Sequence, residues 1–265
     1  MRRIKKNGLV FYQFERLNGV GGLRHGVFTR LGGVSKPPFD SLNVGSTVGD
    51  DPASVLTNRR RMAQALNVRE AETRTTWQVH GAEVIIARRD DPEEWPPPQA
   101  DAIVTAEVGL PLVMRFADCV PLVLYDPARR VLALAHAGWR GTVAGVAPAV
   151  VRAMQEAFGC RPSDIIVGIG PSIGPERYEV GPEVAARVRA VFGDEAGLIE
   201  RPAGNGSRPH LNLWEANRRA LQRVGVRQIE VAGICTASNT REFYSHRAEN
   251  GRTGRFGLLA VLEDV

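Results

Sequence analysis

Residues 119–142 read CVPLVLYDPARRVLALAHAGWRGT. Two apolar runs, 119–125 and 131–137, flank a break at Asp126-Pro127. Each is short, continuous and rich in branched aliphatic residues, the pattern of a strand buried on both faces. The second run ends in a glycine-bracketed turn, Gly138-Trp139-Arg140-Gly141, and Thr142 then suits the cap of a helix over 142–158 whose stripe is Val146, Val150, Met154 and Phe158. A strand that feeds a helix through a tight polar turn is a common place for a site.

Working outward, 102–106 and 110–116 read as further central strands separated at Gly109, and 165–169, 227–232 and 256–262 as later ones. Helices fit 182–192 and 212–223. Upstream, 9–14 and 23–30 look like strands on either side of a Gly19–Gly22 loop, followed by a turn-rich segment from Leu31 to Gly45. Asp51-Pro52 opens a helix with Val55, Met62 and Leu66 on one face, stopped at Asn67. Strand-like runs follow at 74–80 and 83–88. Pro92, Pro96, Pro97 and Pro98 make Asp90 to Gln99 a surface connection. No repeat or second composition regime appears, so the expectation is one α+β domain over 1–265 with mixed sheets.

Composition narrows the class. The chain has 265 residues, 43% hydrophobic and 24% charged, which excludes a disordered or collagen-like chain. It carries 34 basic and 29 acidic side chains, and its lysines are only Lys5, Lys6 and Lys36. Arginine supplies the rest of the positive charge and is suited to bidentate grips on phosphate or carboxylate. No basic stripe with interleaved aromatics is present, so an anionic small molecule is expected rather than nucleic acid. Three cysteines, Cys119, Cys160 and Cys235, make no disulfide framework for this size. With no signal peptide and no run of about eighteen apolar residues, a cytoplasmic protein off the membrane is expected.

The candidate chemistry lies at strand ends. His80, in WQVHG (77–81), precedes a glycine that can expose its imidazole; the alternative is a histidine at the edge of the core. Asp118-Cys119 joins two apolar strands, where a carboxylate is costly unless paired or placed at a site, although Cys119 would also suit an inert core position. His136 and Arg140 stand at the strand-to-helix turn. His80, Cys119 and His136 together supply three ligands for a catalytic zinc with one open position. Their gaps of 39 and 17 residues match no compact finger. GPSIG (170–174) fits the nucleophile-elbow pattern, but Gly174-Pro175 is followed by an extended stretch instead of a helix, which argues against a serine hydrolase. The polar stretch 235–247 either lines a pocket or is a solvated loop.

The strings TRLGGVS (29–35), SLN (41–43), WQVHG (77–81), ADCVPL (117–122), HAGWRGT (136–142), GPSIG (170–174) and Cys235-Thr236 fall in order along the chain. Together they resemble the YfiH/laccase-domain family, also called the multicopper polyphenol oxidoreductase or purine nucleoside phosphorylase family. The resemblance implies a central β-sandwich of mixed sheets flanked by helices, with zinc held by His80, Cys119 and His136. The implied activities are phosphorolysis of adenosine, inosine, guanosine and methylthioadenosine, and deamination of adenosine. Polyphenol oxidation and editing of cell-wall precursors by an amidase are the other labels in the family.

A multicopper oxidase needs a blue-copper site and a trinuclear cluster, and this chain has five histidines, so zinc is preferred to copper. Zinc-bound hydroxide would serve deamination at C6 of adenine. Phosphorolysis also needs cations beside the ribose C1′, for which Arg30 and Arg140 are the candidates. Asn43 is the candidate for the sugar, and Asp118 for orienting a ligand or moving a proton. A monomer acting on a purine nucleoside and phosphate is the expectation, with a hydrolytic amidase at the same site as the alternative.

Overall fold

The computed structural model of the chain describes residues 1–92, 95–193, 197–200 and 208–264. The chain begins as an antiparallel meander of β1 (Arg2–Lys6), β2 (Leu9–Gln13) and β3 (Leu23–Phe28), with a one-turn helix α1 (Glu15–Asn18) before the third strand. Helix α2 (Pro52–Ala65) starts as its sequence dictates. The Asp51 carboxylate accepts from the amides of Ala53 and Ser54, and Pro52 fills a position whose N–H would have no partner. Asn67 leaves the helix at φ +51°.

Five strands follow in the middle of the chain: β4 (Val84–Ile86), β5 (Ala102–Thr105), β6 (Leu112–Phe116), β7 (Val120–Asp126) and β8 (Val131–Ala137). Helices α3 (Trp139–Ala144) and α4 (Val146–Phe158) lead to β9 (Ile166–Ile169) and α5 (Pro182–Phe192). The short hairpin β10 (Ile199–Glu200) and β11 (His210–Leu211) precedes α6 (Leu213–Arg223), β12 (Gln228–Val231) and β13 (Phe256–Leu262).

Two main sheets result, one with strand order β1-β2-β3-β13-β6 and the other β12-β9-β7-β8-β5-β4. Alternation along the strands sorts side chains into layers. Val123 and Tyr125 of β7, Leu132 and Leu134 of β8 and Ile103 of β5 face Val27, Met114, Phe116, Leu258 and Ala260 of the first sheet, so the sheets form a sandwich. On its other face the second sheet presents Val120, Leu122, Leu124 and the small residues Ala133, Ala135 and Ala137 to the helices. There Val146, Val150, Val151 and Met154 of α4 bury their apolar stripe. The outer face of the first sheet, with Leu9, Phe11, Phe28 and Leu259, is covered by Met62 and Ala65 of α2. The order is helix, sheet, sheet, helices, and the α+β sandwich flanked by helices is as expected.

The expected mixed pairing is found in the second sheet, with parallel pairs at its two edges, β12–β9 and β5–β4, while the strands of the first pair antiparallel. Several expectations need correction. Residues 74–80 form no strand. They run extended with isolated bridges at Arg74 and Trp77, because a side chain replaces the ladder: the Gln78 amide donates to the Arg115 carbonyl (2.8 Å) and accepts from its N–H (3.0 Å). The helix expected over 142–158 is two helices broken at Gly145, which sits at φ +84°. Since α3 already begins at Trp139, Thr142 is no cap; its hydroxyl accepts from the Asn217 amide at 3.0 Å. The basic start, Arg2 to Lys6, is a strand. Residues 93–94 of the proline-rich connection lie outside the described residues.

Candidate functional site

The pairing that builds the second sheet also assembles the site. In the β7–β8 ladder Val120 faces Ala137 and Pro121 faces His136, so one step further Cys119 stands opposite Gly138. A Cβ added at Gly138 would lie 2.8 Å from the Cys119 Sγ and 3.2 Å from the His80 ring, so only glycine leaves this space open. In the β5–β8 ladder Ala102 faces Ala135, which sets Asp101 beside His136. By alternation His136 points between the sheets, where the Phe116 ring covers it at 5.5 Å between centroids.

His80, Cys119 and His136 converge, with their ligand atoms all within 4.8 Å of one another. Among the described residues this is the one group of three such side chains able to hold a metal ion. His136 is buried, Cys119 half-buried and His80 exposed, so the centre opens to one side. The two imidazoles meet edge to face at 4.9 Å. His80 is not at a strand end as expected; it occupies a turn at φ +63°.

Asp101 organises this geometry and is not singled out by the sequence reading. Its side chain is fully buried. Oδ1 accepts from His136 Nδ1 at 2.7 Å, while Oδ2 accepts from the amides of Gly81 at 2.6 Å and Val79 at 3.0 Å, the two neighbours of His80. Burial opposes ionisation of Asp101, but the hydrogen bond from His136 and those two amides hold its carboxyl below the usual range. Its signal was available: an acid opening the apolar run Ala102–Thr105 carries the same cost as Asp118.

Burial pushes the Cys119 thiol up, yet the nearby His136 and His80 more than reverse it and bring the thiol well below its ordinary value. His136 moves the other way: burial lowers it, but Cys119 and Asp101 together raise it. A thiolate, a second imidazole and an imidazole backed by a carboxylate make a donor set suited to zinc, with the outer-sphere partner such ligands usually have.

Asp118 turns the chain from β6 into β7 at φ +81°. Its carboxylate accepts from the Thr236 hydroxyl (2.6 Å) and the Arg247 amide (2.7 Å), tying the Cys119 corner to the 235–247 stretch. That stretch therefore reaches the site, through His246 and Arg247. The three donors line a cavity of about 490 Å³ whose walls include Trp77, Trp95, Trp139, Tyr178, Arg115, Arg140, Arg247 and Arg255. Arg140 lies over the Trp139 ring at 4.7 Å and Arg247 over Tyr178 at 5.2 Å.

Arg30 and Asn43 are not brought to this cavity. The Arg30 guanidinium is buried, donates to Asp40, Thr240 and Glu249, and lies over Tyr244. Asn43 is fully buried and bonds Gly45, Asp50 and Arg255. Ser172 of the elbow-like string is fully buried, accepts from Trp214 Nε1 at 2.6 Å, and no helix follows it directly. Of the remaining histidines, His25 is in the core and His210 is bonded to the Pro175 carbonyl.

Fold and site together define a two-sheet sandwich protein with a candidate metal site. The family model described as multi-copper polyphenol oxidoreductase laccase matches residues 24–263, and the chain belongs to that family. It is 42% identical over 238 residues to a purine nucleoside phosphorylase of Deinococcus radiodurans, covering 90% of this chain and 88% of that one. The crystal structure of YlmD from Geobacillus stearothermophilus superimposes with a TM-score of 0.88 at 35% identity over 98% of both chains. That of the Bacillus licheniformis protein YfiH gives 0.87 at 32% identity over 97% of both. No helix among the described residues is long and apolar enough to cross a membrane.

Proposed function

We propose that the chain is a zinc-dependent purine nucleoside phosphorylase acting on adenosine, inosine, guanosine and methylthioadenosine, with adenosine deamination as a second reaction at the same centre. The observation that carries this reading is the convergence of His80, Cys119 and His136 in the wall of a cavity that also offers arginines and flat aromatic rings. A cavity of this size suits a nucleoside. The names of relatives around 40% identical over most of the chain support it.

Zinc, when bound, supplies Lewis acidity and activates a water or polarises an oxygen at neutral pH. The chain's own residues do the rest. Arg140, exposed at the start of α3, and Arg247 and Arg255 offer forked donors to the phosphate that attacks C1′. Trp77 and Trp95, both exposed at the cavity, offer planar apolar surfaces to the purine. His136 is held by the buried Asp101 carboxylate, so it stays in place as the substrate arrives. One group of three donors suits a single ion and falls short of a blue-copper site with a trinuclear cluster, which disfavours copper and polyphenol oxidation. A cytoplasmic monomer completes the reading.

Purified protein should contain about one zinc per chain, as a site with three protein ligands and one open position requires. It should also release hypoxanthine from inosine only when phosphate is supplied. Cys119→Ala should lose both. Turnover retained without metal sinks the proposal, and hydrolysis of an amide-linked substrate without phosphate would assign the site to the amidase reading instead.

A further inference from the structure

We infer that Asp101 is the positioning residue of the metal centre: one of its carboxylate oxygens sets the tautomer of His136, and the other holds the turn that presents His80. The inference rests on the reading of His80, Cys119 and His136 as metal ligands, and not on the identity of the substrate.

The two carboxylate oxygens of Asp101 face different partners. As a carboxylate oxygen Oδ1 can only accept, so the 2.7 Å contact with His136 places a proton on Nδ1, and in the neutral ring that ligation requires the lone pair then lies on Nε2, the nitrogen that remains to face Cys119 and an ion. A free neutral imidazole prefers its proton on Nε2, which would block that position. Oδ2 takes the N–H groups on both sides of His80. His80 adopts φ +63°, a left-handed conformation that is unfavourable for a non-glycine residue. Two hydrogen bonds to one buried carboxylate oxygen offset that cost and close the turn around the imidazole.

Asp101 is itself immobile. Its own amide and that of Ala102 donate to the Glu83 carbonyl, and its carbonyl accepts from the His136 amide at 2.8 Å. The side chain is fully buried, so water does not compete for either oxygen. Two ligands that are distant in sequence, one on a turn and one on a central strand, are thus aimed by one side chain.

Asparagine cannot replace it. It has one accepting oxygen, so its NH₂ must face either the donors of Val79 and Gly81 or the Nδ1 of His136. In the first orientation the His80 turn is repelled. In the second His136 must accept at Nδ1, carry its proton on Nε2 and drop out as a ligand.

The test is zinc affinity of the full chain, measured by chelator competition at one pH, for wild type, Asp101→Asn and Asp101→Ala. Both variants should bind zinc about 10- to 100-fold more weakly. In cobalt-substituted Asp101→Asn the thiolate-to-metal absorption of Cys119 should persist while the ligand-field bands change, a pattern that general loosening of the fold does not produce. A second measurement needs no variant: in the zinc-loaded wild type, imidazole NMR should show His136 protonated at Nδ1 with a slowly exchanging proton. Zinc binding by Asp101→Asn within twofold of wild type overturns the role of Asp101 alone, whereas a proton on Nε2 of His136 in the zinc-loaded chain overturns both that role and the reading of His136 as a ligand. A wild-type chain that binds no zinc overturns both this role and the metal reading.

Discussion

Cys119 and Gly138 face each other across the end of the β7–β8 ladder, so closely that a methyl group on Gly138 would stand 2.8 Å from the Cys119 sulfur. The backbone at Gly138, φ −73° and ψ 175°, is open to any residue. Its glycine is therefore required by the thiolate and not by the chain's own conformation. Gly138→Ala should weaken zinc binding tenfold or more while shifting the melting temperature of the metal-free protein by only a few degrees, as checked by metal titration and calorimetry.

Arg140 and Arg30 make a contrasting pair. Arg140→Met should raise the KM for phosphate about 10- to 100-fold, the loss of one or two charge-assisted hydrogen bonds. Arg30→Met should leave that KM unchanged and instead cost about 1–2 kcal/mol of stability, because Glu249 Oε1 and the Asp40 and Thr240 carbonyls lose their donor while Glu249 Oε2 keeps the Ser245 amide and the Thr253 hydroxyl. Steady-state kinetics and urea unfolding of both variants check this.

Ser172→Ala should keep full turnover. Its hydroxyl serves Trp214 inside the core, so the expected loss is about 1 kcal/mol of stability. A collapse of activity in a folded Ser172→Ala protein would reopen a nucleophilic serine.

His25 predicts the acid side of the stability curve. Burial lowers its pKa to about 4, and its Nε2 accepts from the Phe14 amide, which requires the neutral ring. The unfolded chain therefore binds the extra proton first, from its ordinary value near 6.5 downward. Stability from this group is complete above that value and is lost as the pH falls toward 4, by about 2–3 kcal/mol at pH 4.5. Urea midpoints between pH 7 and 4.5 should fall accordingly, and His25→Gln, which keeps an acceptor, should flatten that part of the slope.

The sequence made the strands and helices legible wherever a buried face imposes its own period: 131–137, 182–192 and 256–262 are found where the apolar pattern puts them. It was less informative where a side chain does the work of the backbone. Residues 74–80 carry the alternation of a strand, but the Gln78 amide, not a ladder, holds them to Arg115. The three candidate donors were legible because His80 precedes a glycine, Cys119 joins two apolar runs and His136 closes a third, each inside a string that resembles the family. Arg30 misled, since a glycine-rich turn says nothing of which way an arginine points, and here it points to Glu249 and Tyr244. Arg247 closes the polar stretch 235–247, which the sequence left open between pocket and solvated loop, and Arg255, just before the last strand, carried no signal; both line the cavity with their backbone amides bonded to Asp118 and Asn43.

The crossing from β6 to β7 through Asp118-Cys119 has a consequence for how the gene can change. β7 and β8 bury both faces, so deleting or inserting a single codon inside either strand would send a residue such as Val123 or Leu134 to the helix side, bring its neighbours between the sheets, and shift the register that sets the thiol opposite Gly138. Length variation among natural relatives should therefore avoid these two strands and settle in the exposed turn at 127–130, and a scan of single-codon indels should show the same contrast.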